Sequence, residues 1–286
     1  MSLGILCEEG FAHSFMAQVA SVETKADLKE FIARNEGKNA AYIAAPAQNS
    51  GEVYRDDEDE SVPENSVFVM GLNGPVFPES EFGIPGLDQL TDQISWAVAE
   101  PNIAAIVFRL ETGGGSTYKL WQFCDFLLEQ REIKPILFHI TGMSCSAGVA
   151  IHTCGSGVTA DHSSVRVGSI GVCMSYIDMY GWMEKQGCKY TYVNAPTNPD
   201  KNKEFTEMRA GNVKPMEEHL AEIHVEFKDR VRSQRPKIDD TSMTGKVYTA
   251  LQAADNDIID GVGTLEQVIS YARDLGQNIN MQKSIV

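Results

Sequence analysis

The 286-residue chain lacks several patterns that mark common protein classes. Its apolar runs are far shorter than the roughly 20 residues needed to cross a bilayer, which predicts no integral membrane segment. It has no clustered basic face, and its net charge of −16 argues against a nucleic-acid partner. The start, Met1-Ser-Leu-Gly-Ile-Leu-Cys-Glu-Glu9, is acidic rather than basic. We therefore expect no secretory signal and predict a cytoplasmic location.

Metal and phosphate motifs are missing as well. The 6 cysteines include no Cys-x-x-Cys pair, which disfavours a zinc site and favours reduced thiols. The glycine run from Gly113 to Gly115 is not followed by Gly-Lys-Ser or Gly-Lys-Thr, so it is a weak signal for phosphate binding. The sequence predicts neither a metal nor a cofactor.

Beyond residue 65 the apolar residues follow an alternation of strand and helix. Val67-Phe-Val-Met-Gly-Leu72 predicts a strand, and Leu87, Leu90, Ile94 and Val98 mark one face of a helix. Two further strand–helix units extend to residue 154. Units of this kind predict an α/β fold with helices packed on a largely parallel sheet. A long amphipathic helix is also expected from Val213 to Val231, ending before Pro236.

Composition divides the chain into three predicted regions. The acidic run Asp56-Asp-Glu-Asp-Glu60, followed by Pro63, indicates a linker. We predict an N-terminal extension with this linker over residues 1–64, a main domain over 65–275 and a C-terminal tail over 276–286. Within the extension, Ala26 to Arg34 predicts a short helix and Asn39 to Ser50 an irregular segment. The extension could be an arm, a propeptide or a partner-binding element.

The first candidate site is the run Met143-Ser-Cys-Ser-Ala-Gly-Val-Ala150, which follows the strand Pro135-Ile-Leu-Phe-His-Ile140 and opens a predicted helix. A serine at such a turn points its hydroxyl outward, beside the N–H groups and positive dipole of the helix. Small neighbours let a substrate backbone approach closely. Ser146 is therefore a candidate nucleophile for acyl transfer, and a tight packing turn is the structural alternative.

A second candidate lies upstream, where the strand Ala104-Ala-Ile-Val-Phe-Arg-Leu110 runs into Glu111-Thr-Gly-Gly-Gly-Ser116. Successive glycines at a strand end let main-chain N–H groups point into a cleft. An oxyanion hole needs such donors, aimed at the charge that develops on the substrate carbonyl. A merely flexible turn is the alternative.

Together with Val167-Gly-Ser-Ile-Gly-Val172, these segments resemble the signal peptide peptidase A and phage protease C family of serine proteases. The resemblance covers roughly residues 66 to 275 and implies a Clp/crotonase-like superhelix of strand–helix units. It implies Ser146 as nucleophile, with the backbone N–H groups of Gly115 and Ala147 as oxyanion donors. It also implies substrate contacts at Gly113, Gly114, Gly168 and Ser169.

The general base is expected to be a lysine, as in the resembled family. The corresponding stretch runs from Asn194 to Glu204, and the usual spacing falls on Pro199, so Lys201 is the first candidate and Lys203 the alternate. A lysine base must be neutral although its reference pKa is about 10.4, which requires burial or a nearby positive charge. His162, in a polar loop, is a further alternative for the base.

The resemblance implies a serine endopeptidase with a Ser/Lys dyad that cleaves polypeptide substrates as a homo-oligomer. Its implied setting is phage or prophage capsid maturation, in the cytoplasm or in association with phage. Two other functions stay open. One is a catalytically inactive scaffold or assembly module of the same fold, and the other is an acyl-CoA hydratase or isomerase.

Overall fold

A computed structural model describes residues 5–7, 9–46, 52–53, 61–175 and 178–284. Its strands are β1 (Ile5–Cys7), β2 (Tyr42–Ala44), β3 (Glu52–Val53), β4 (Ser66–Asn73), β5 (Ile103–Thr112), β6 (Gly114–Ser116), β7 (Ile136–Cys145), β8 (Gly157–Ala160), β9 (Arg166–Gly168), β10 (Val247–Thr249) and β11 (Gly261–Val262). Its helices are α1 (Glu9–Ala20), α2 (Lys25–Asn39), α3 (Leu87–Ala99), α4 (Leu120–Ile133), α5 (Ala147–His152), α6 (Tyr180–Lys185), α7 (Lys203–Arg209), α8 (Lys214–Gln234), α9 (Ala250–Asp255) and α10 (Leu265–Ser284).

The strands form one mixed sheet and one small ribbon. The sheet order is β10-β9-β7-β5-β4-β2-β3, and β4, β5 and β7 run parallel at its centre. The long strand β7 pairs with two strands in succession: its first half pairs with β8, and its last three residues pair with β9. Strands β1 and β6 form the separate antiparallel ribbon.

Both faces of the central sheet are covered, which explains why its strands read as continuous apolar runs. Phe68, Met70 and Phe108 point into a core shared with α3 and α4. Their neighbours in sequence, such as Val67 and Val107, point to the opposite face, where Val268 and Ala272 of α10 cover them. The predicted α/β class of strand–helix units is confirmed.

Described residues before 65 contact this sheet through β2 and α2. The helix predicted from Ala26 to Arg34 is confirmed, and α2 extends it to Asn39. Thr24 caps its N-terminus through a reciprocal capping box with Asp27. The expected irregular segment from Asn39 to Ser50 is wrong at β2, which pairs antiparallel with β4 and places the Tyr42 ring under the Arg109 guanidinium. The acidic run at residues 56–60 lies outside the described residues, and the boundary near residue 64 stays a prediction.

The C-terminal helices follow the expected pattern with one difference. Helix α8 confirms the long amphipathic helix before Pro236. Helix α10 continues past residue 275, where a tail was expected to begin. Gly276 keeps α10 close to β5, because a Cβ there would lie 2.1 Å from the Ala104 carbonyl oxygen. Among the described residues no helix combines the length and apolarity needed to cross a membrane.

Candidate active site

Ser146 occupies a sharp turn between β7 and α5. Its backbone has φ 54° and ψ −114°, a region that non-glycine residues rarely adopt and that costs about 1–3 kcal/mol. Two main-chain hydrogen bonds hold it there: its N–H donates to the Gly168 carbonyl at 2.9 Å, and its own carbonyl accepts from the Val149 N–H at 2.9 Å. The surrounding fold therefore imposes the conformation.

The nucleophile turn, defined as residues 143–150, is packed on both sides. Thr112 of β5 lies opposite Ser144, and Gly168 of β9 lies opposite Cys145. Every residue from Ser144 to Ala150 is buried. A Cβ on Gly148 would lie 2.6 Å from Thr112 Cγ2 and 2.8 Å from Ser144 Oγ, so only glycine fits without a shift.

A buried hydrogen bond joins the two ends of this turn. Ser144 Oγ and His152 Nδ1 are 2.8 Å apart, and both residues are buried. Burial lowers the pKa of His152 from 6.5 to about 3, so its ring is neutral at physiological pH. The Ser144–His152 pair therefore joins α5 to β7.

The Ser146 hydroxyl is not activated in this conformation. Its Oγ donates to the Gly171 carbonyl oxygen at 3.3 Å, and the residue is 1% exposed. A carbonyl oxygen orients a hydroxyl but cannot take its proton under these conditions, so a separate base is needed for nucleophilic attack.

In the glycine loop, residues 113–115, one main-chain N–H faces away from Val76. The Val76 N–H donates to the Gly114 carbonyl at 2.9 Å, and the Ser116 N–H donates to the Val76 carbonyl at 2.9 Å. Because neighbouring residues of a strand point their N–H groups to opposite edges, the Gly115 N–H and carbonyl face the other edge. On that edge lies β1, with Leu6 opposite Gly115.

The other predicted site glycines have different neighbours. The Gly114 N–H donates to Thr112 Oγ1 at 3.1 Å, and Gly113 lies against the Phe11 ring of α1. The Ala147 N–H is the first of α5 and has no intrahelical acceptor. Strand β6 packs against α5, so the Gly115 and Ala147 amides belong to adjoining elements.

The strand beside the nucleophile turn, β9, ends at Gly168, and Ser169 follows it. Both have positive φ, 130° and 54° respectively. A Cβ on Gly168 would lie 2.5 Å from the Lys246 carbonyl oxygen, and the Ser169 N–H donates to that oxygen at 2.7 Å. The Val167-to-Val172 motif thus lies between the nucleophile turn and β10, and its substrate contacts stay a prediction.

The lysine segment, residues 194–204, lies apart from the nucleophile turn and the glycine loop. Lys201 and Lys203 are exposed, and α7, which begins at Lys203, packs against α8. The Lys201 carbonyl accepts from Tyr192 Oη at 3.0 Å and from Asn194 Nδ2 at 3.3 Å. These bonds give the segment a local order of its own, and neither lysine hydrogen bonds to Ser146 within the described chain.

Electrostatics separates the two candidate lysines. Lys203 Nζ donates to Asp200 Oδ1 at 3.0 Å, and this carboxylate raises the pKa of Lys203. A raised pKa is the opposite of what a base requires. The third candidate, His162, lies in an exposed loop, where its Nδ1 accepts from the Ser164 N–H at 3.2 Å and lies 2.9 Å from Ser164 Oγ. Lys201 is therefore the better candidate.

Sequence reasoning missed three features of the site. It did not identify the Gly171 carbonyl, the Ser144–His152 pair, or the pairing of β1 with the glycine loop. Gly171 falls inside the Val167-to-Val172 motif, so its proximity to Ser146 could have been predicted from that motif. The other two depend on burial and on a contact between distant segments, and neither leaves a local pattern.

The chain is similar in sequence to known proteases. The capsid assembly protease C of Escherichia phage lambda is 25% identical over 134 residues, which is 45% of this chain and 30% of that protein. Protease 4 of Salmonella typhi is 24% identical over 222 residues, 74% of this chain and 35% of that protein. The chain thus spans about a third of the length of either relative.

A solved structure and a family model complete the comparison. A mutant of the membrane-bound stomatin-specific protease 1510-N aligns with a TM-score of 0.47 and 14% identity, covering 71% of this chain and 82% of that one. The model of peptidase family S49 matches residues 129–279, which include the nucleophile turn, the Val167-to-Val172 motif and the lysine segment. The resemblance that the sequence motifs indicated is confirmed, and the chain belongs to peptidase family S49.

Proposed function

We propose that the protein is a serine endopeptidase in which Ser146 attacks the carbonyl carbon of a peptide bond. The observation that carries this proposal is the forced backbone of Ser146 at φ 54°, held beneath the first N–H of α5. Nothing in the packing of a simple turn requires that conformation at a serine. The Ala147 and Gly115 amides would hold the oxyanion that forms as the carbonyl bond opens.

In this proposal Lys201 accepts the hydroxyl proton and later delivers it to the leaving amine. Its exposure in the single chain means that it needs a further surface to remove it from water. We propose that a second copy of the chain supplies this surface, so that the lysine segment of one protomer covers the nucleophile turn of another. Exposed apolar side chains near the lysine segment support such an assembly, notably Trp182 at 58% and Val193 at 81% exposure.

The proposed substrate is a polypeptide, and the proposed setting is capsid maturation in a phage or prophage. Family S49 membership supports a peptide substrate. The similarity to the capsid assembly protease C of phage lambda supports the setting.

The test is covalent labelling with an alkyl fluorophosphonate, in which Ser146 Oγ bonds to phosphorus and fluoride leaves. We expect the adduct on the peptide that contains Ser146. Ser146→Ala should abolish labelling and reduce peptide hydrolysis by roughly 10³-fold or more, whereas Ser95→Ala, an exposed serine on α3, should react as the wild type does. A folded protein that gives no adduct would instead indicate a scaffold or a hydratase, both of which lack a nucleophilic serine.

A further inference from the structure

The glycine loop already holds an extended strand. Residues Ile5 to Cys7 pair antiparallel with β6, placing Ile5 opposite Ser116, Leu6 opposite Gly115 and Cys7 opposite Gly114. Since the Gly114 carbonyl and the Ser116 N–H are used by Val76, the hydrogen bonds to β1 come from Gly115. The N–H proposed to hold the oxyanion is therefore the one that faces β1.

A second contact holds β1 in this position. Helix α1 begins two residues after β1, and the Phe11 ring lies so close to Gly113 that a Cβ there would be 2.3 Å from Phe11 Cγ. One helical turn further on, Phe15 packs against Phe31, Phe77 and Phe82, with ring centroids 6.1–6.3 Å apart. This aromatic cluster anchors α1 to the main domain and keeps β1 at high effective concentration beside the glycine loop.

An extended peptide adds to a sheet by pairing its main chain with an exposed strand edge. The edge of β6 that faces away from Val76 offers the Gly115 N–H and carbonyl, and β1 covers this edge. We infer that β1 is an intramolecular competitor of the substrate, which must leave β6 before a polypeptide can pair with the glycine loop. This inference rests on the proposed function, and it adds regulation of the same site by the protein's own chain.

Strand β1 pairs with β6 through its main chain. Two substitutions at Leu6, one that removes the main-chain N–H and one that keeps it, therefore form a matched pair. Leu6→Pro removes the N–H that pairs with the Gly115 carbonyl, whereas Leu6→Ala keeps it. We expect the amide of Gly115 to lose its protection from hydrogen exchange in Leu6→Pro and to keep it in Leu6→Ala. The central strands β5 and β7 should stay protected in both variants, because β1 lies outside the main sheet.

Two phosphonate probes then measure access to the site. A diphenyl phosphonate carried on a tri-alanine peptide must pair with β6, whereas an alkyl fluorophosphonate has no main chain to pair. In Leu6→Pro the peptidyl probe should label Ser146 on the order of tenfold faster than in the wild type, because the competent fraction of the protein rises. The alkyl probe should gain much less. A synthetic peptide with the sequence of residues 1–10 should slow peptidyl labelling of Leu6→Pro.

The outcomes separate the two claims. Labelling of Ser146 by both probes, each at the same rate in wild type, Leu6→Pro and Leu6→Ala, would overturn the competition and leave the peptidase proposal standing. A Gly115 amide that exchanges rapidly in the wild type would overturn it as well. Failure of both probes to label Ser146 in any variant would overturn the proposed function and, with it, this inference.

Discussion

The nucleophile turn and the lysine segment differ in almost every physical respect. From Ser144 to Ala150 each residue is buried, and strands β5 and β9 flank the turn on either side. From Ala195 to Lys203 each residue is exposed, and the ordering hydrogen bonds come from within the segment or from nearby Tyr192. The core of one chain therefore determines one half of the proposed dyad but not the other.

This difference indicates how such a site could be controlled. The packed core holds the Ser146 backbone in place, but its hydroxyl still needs a base, so the proposed reactivity depends on what reaches it. In the proposed mechanism two groups reach it: a lysine brought by assembly and a substrate strand admitted by the departure of β1. Stability and chemistry are thus assigned to separate parts of the chain.

The largest effect expected in the lysine segment is on catalysis. Lys201→Met removes the proposed base and should lower peptide hydrolysis by roughly 10²–10⁴-fold, the range typical of general-base removal. Lys203→Met should cost far less, because its ammonium is paired with Asp200. Lys214→Met, an exposed lysine at the start of α8, is the control. Steady-state rates on a peptide substrate provide the measurement, and equal losses in all three variants would contradict the assignment.

A methyl group added in the nucleophile turn and one added on the exposed helix α6, which precedes the lysine segment, should differ in their effect on stability. Gly148→Ala places a Cβ against two buried side chains, Thr112 and Ser144, and should lower the free energy of unfolding by about 1–3 kcal/mol. Gly181→Ala, on α6, meets nothing within 4 Å and should change it by about 0.5 kcal/mol or less, or stabilise the helix slightly. Urea unfolding measures both, and a neutral Gly148→Ala would show that the turn is less tightly packed than described.

The last expected effect concerns pH. The pKa of His152 is lowered by burial to about 3, so between about pH 3 and 6.5 the unfolded chain binds the proton and the folded chain does not. Its contribution to stability is complete above pH 6.5 and is lost as the pH falls, at up to about 1.4 kcal/mol per pH unit. Between pH 7 and 5 the wild type should lose about 2 kcal/mol more than His152→Asn, which does not titrate there. Equal losses would mean that the folded protein protonates His152.

The sequence was sufficient for the parts of the fold that depend on local patterns. The apolar runs of β4, β5 and β7 and the helical spacing of α3, α4 and α8 predicted those elements, and the small residues around Ser146 predicted its turn. Strand β1 escaped prediction because three residues carry no periodicity and its partner lies beyond a hundred residues of intervening chain. The Ser144–His152 pair was not predicted, because the local sequence does not show which side chains become buried together.

The position of the proposed catalytic base could not be predicted for a different reason. The spacing rule of the resembled family falls on Pro199, and the choice among nearby lysines depends on which one becomes desolvated. The contact with Asp200, which makes Lys203 the weaker candidate for the base, is seen only in the structure. A surface formed between two chains leaves no signal in the sequence of one.

Subunit complementation tests the central claim most directly. Ser146→Ala and Lys201→Met are each expected to be inactive alone. When the two chains are co-expressed, mixed assemblies should recover peptide hydrolysis, because the Lys201 of one chain meets the Ser146 of the other. Mixed assemblies that stay as inactive as either variant would contradict delivery of the base between copies of the chain.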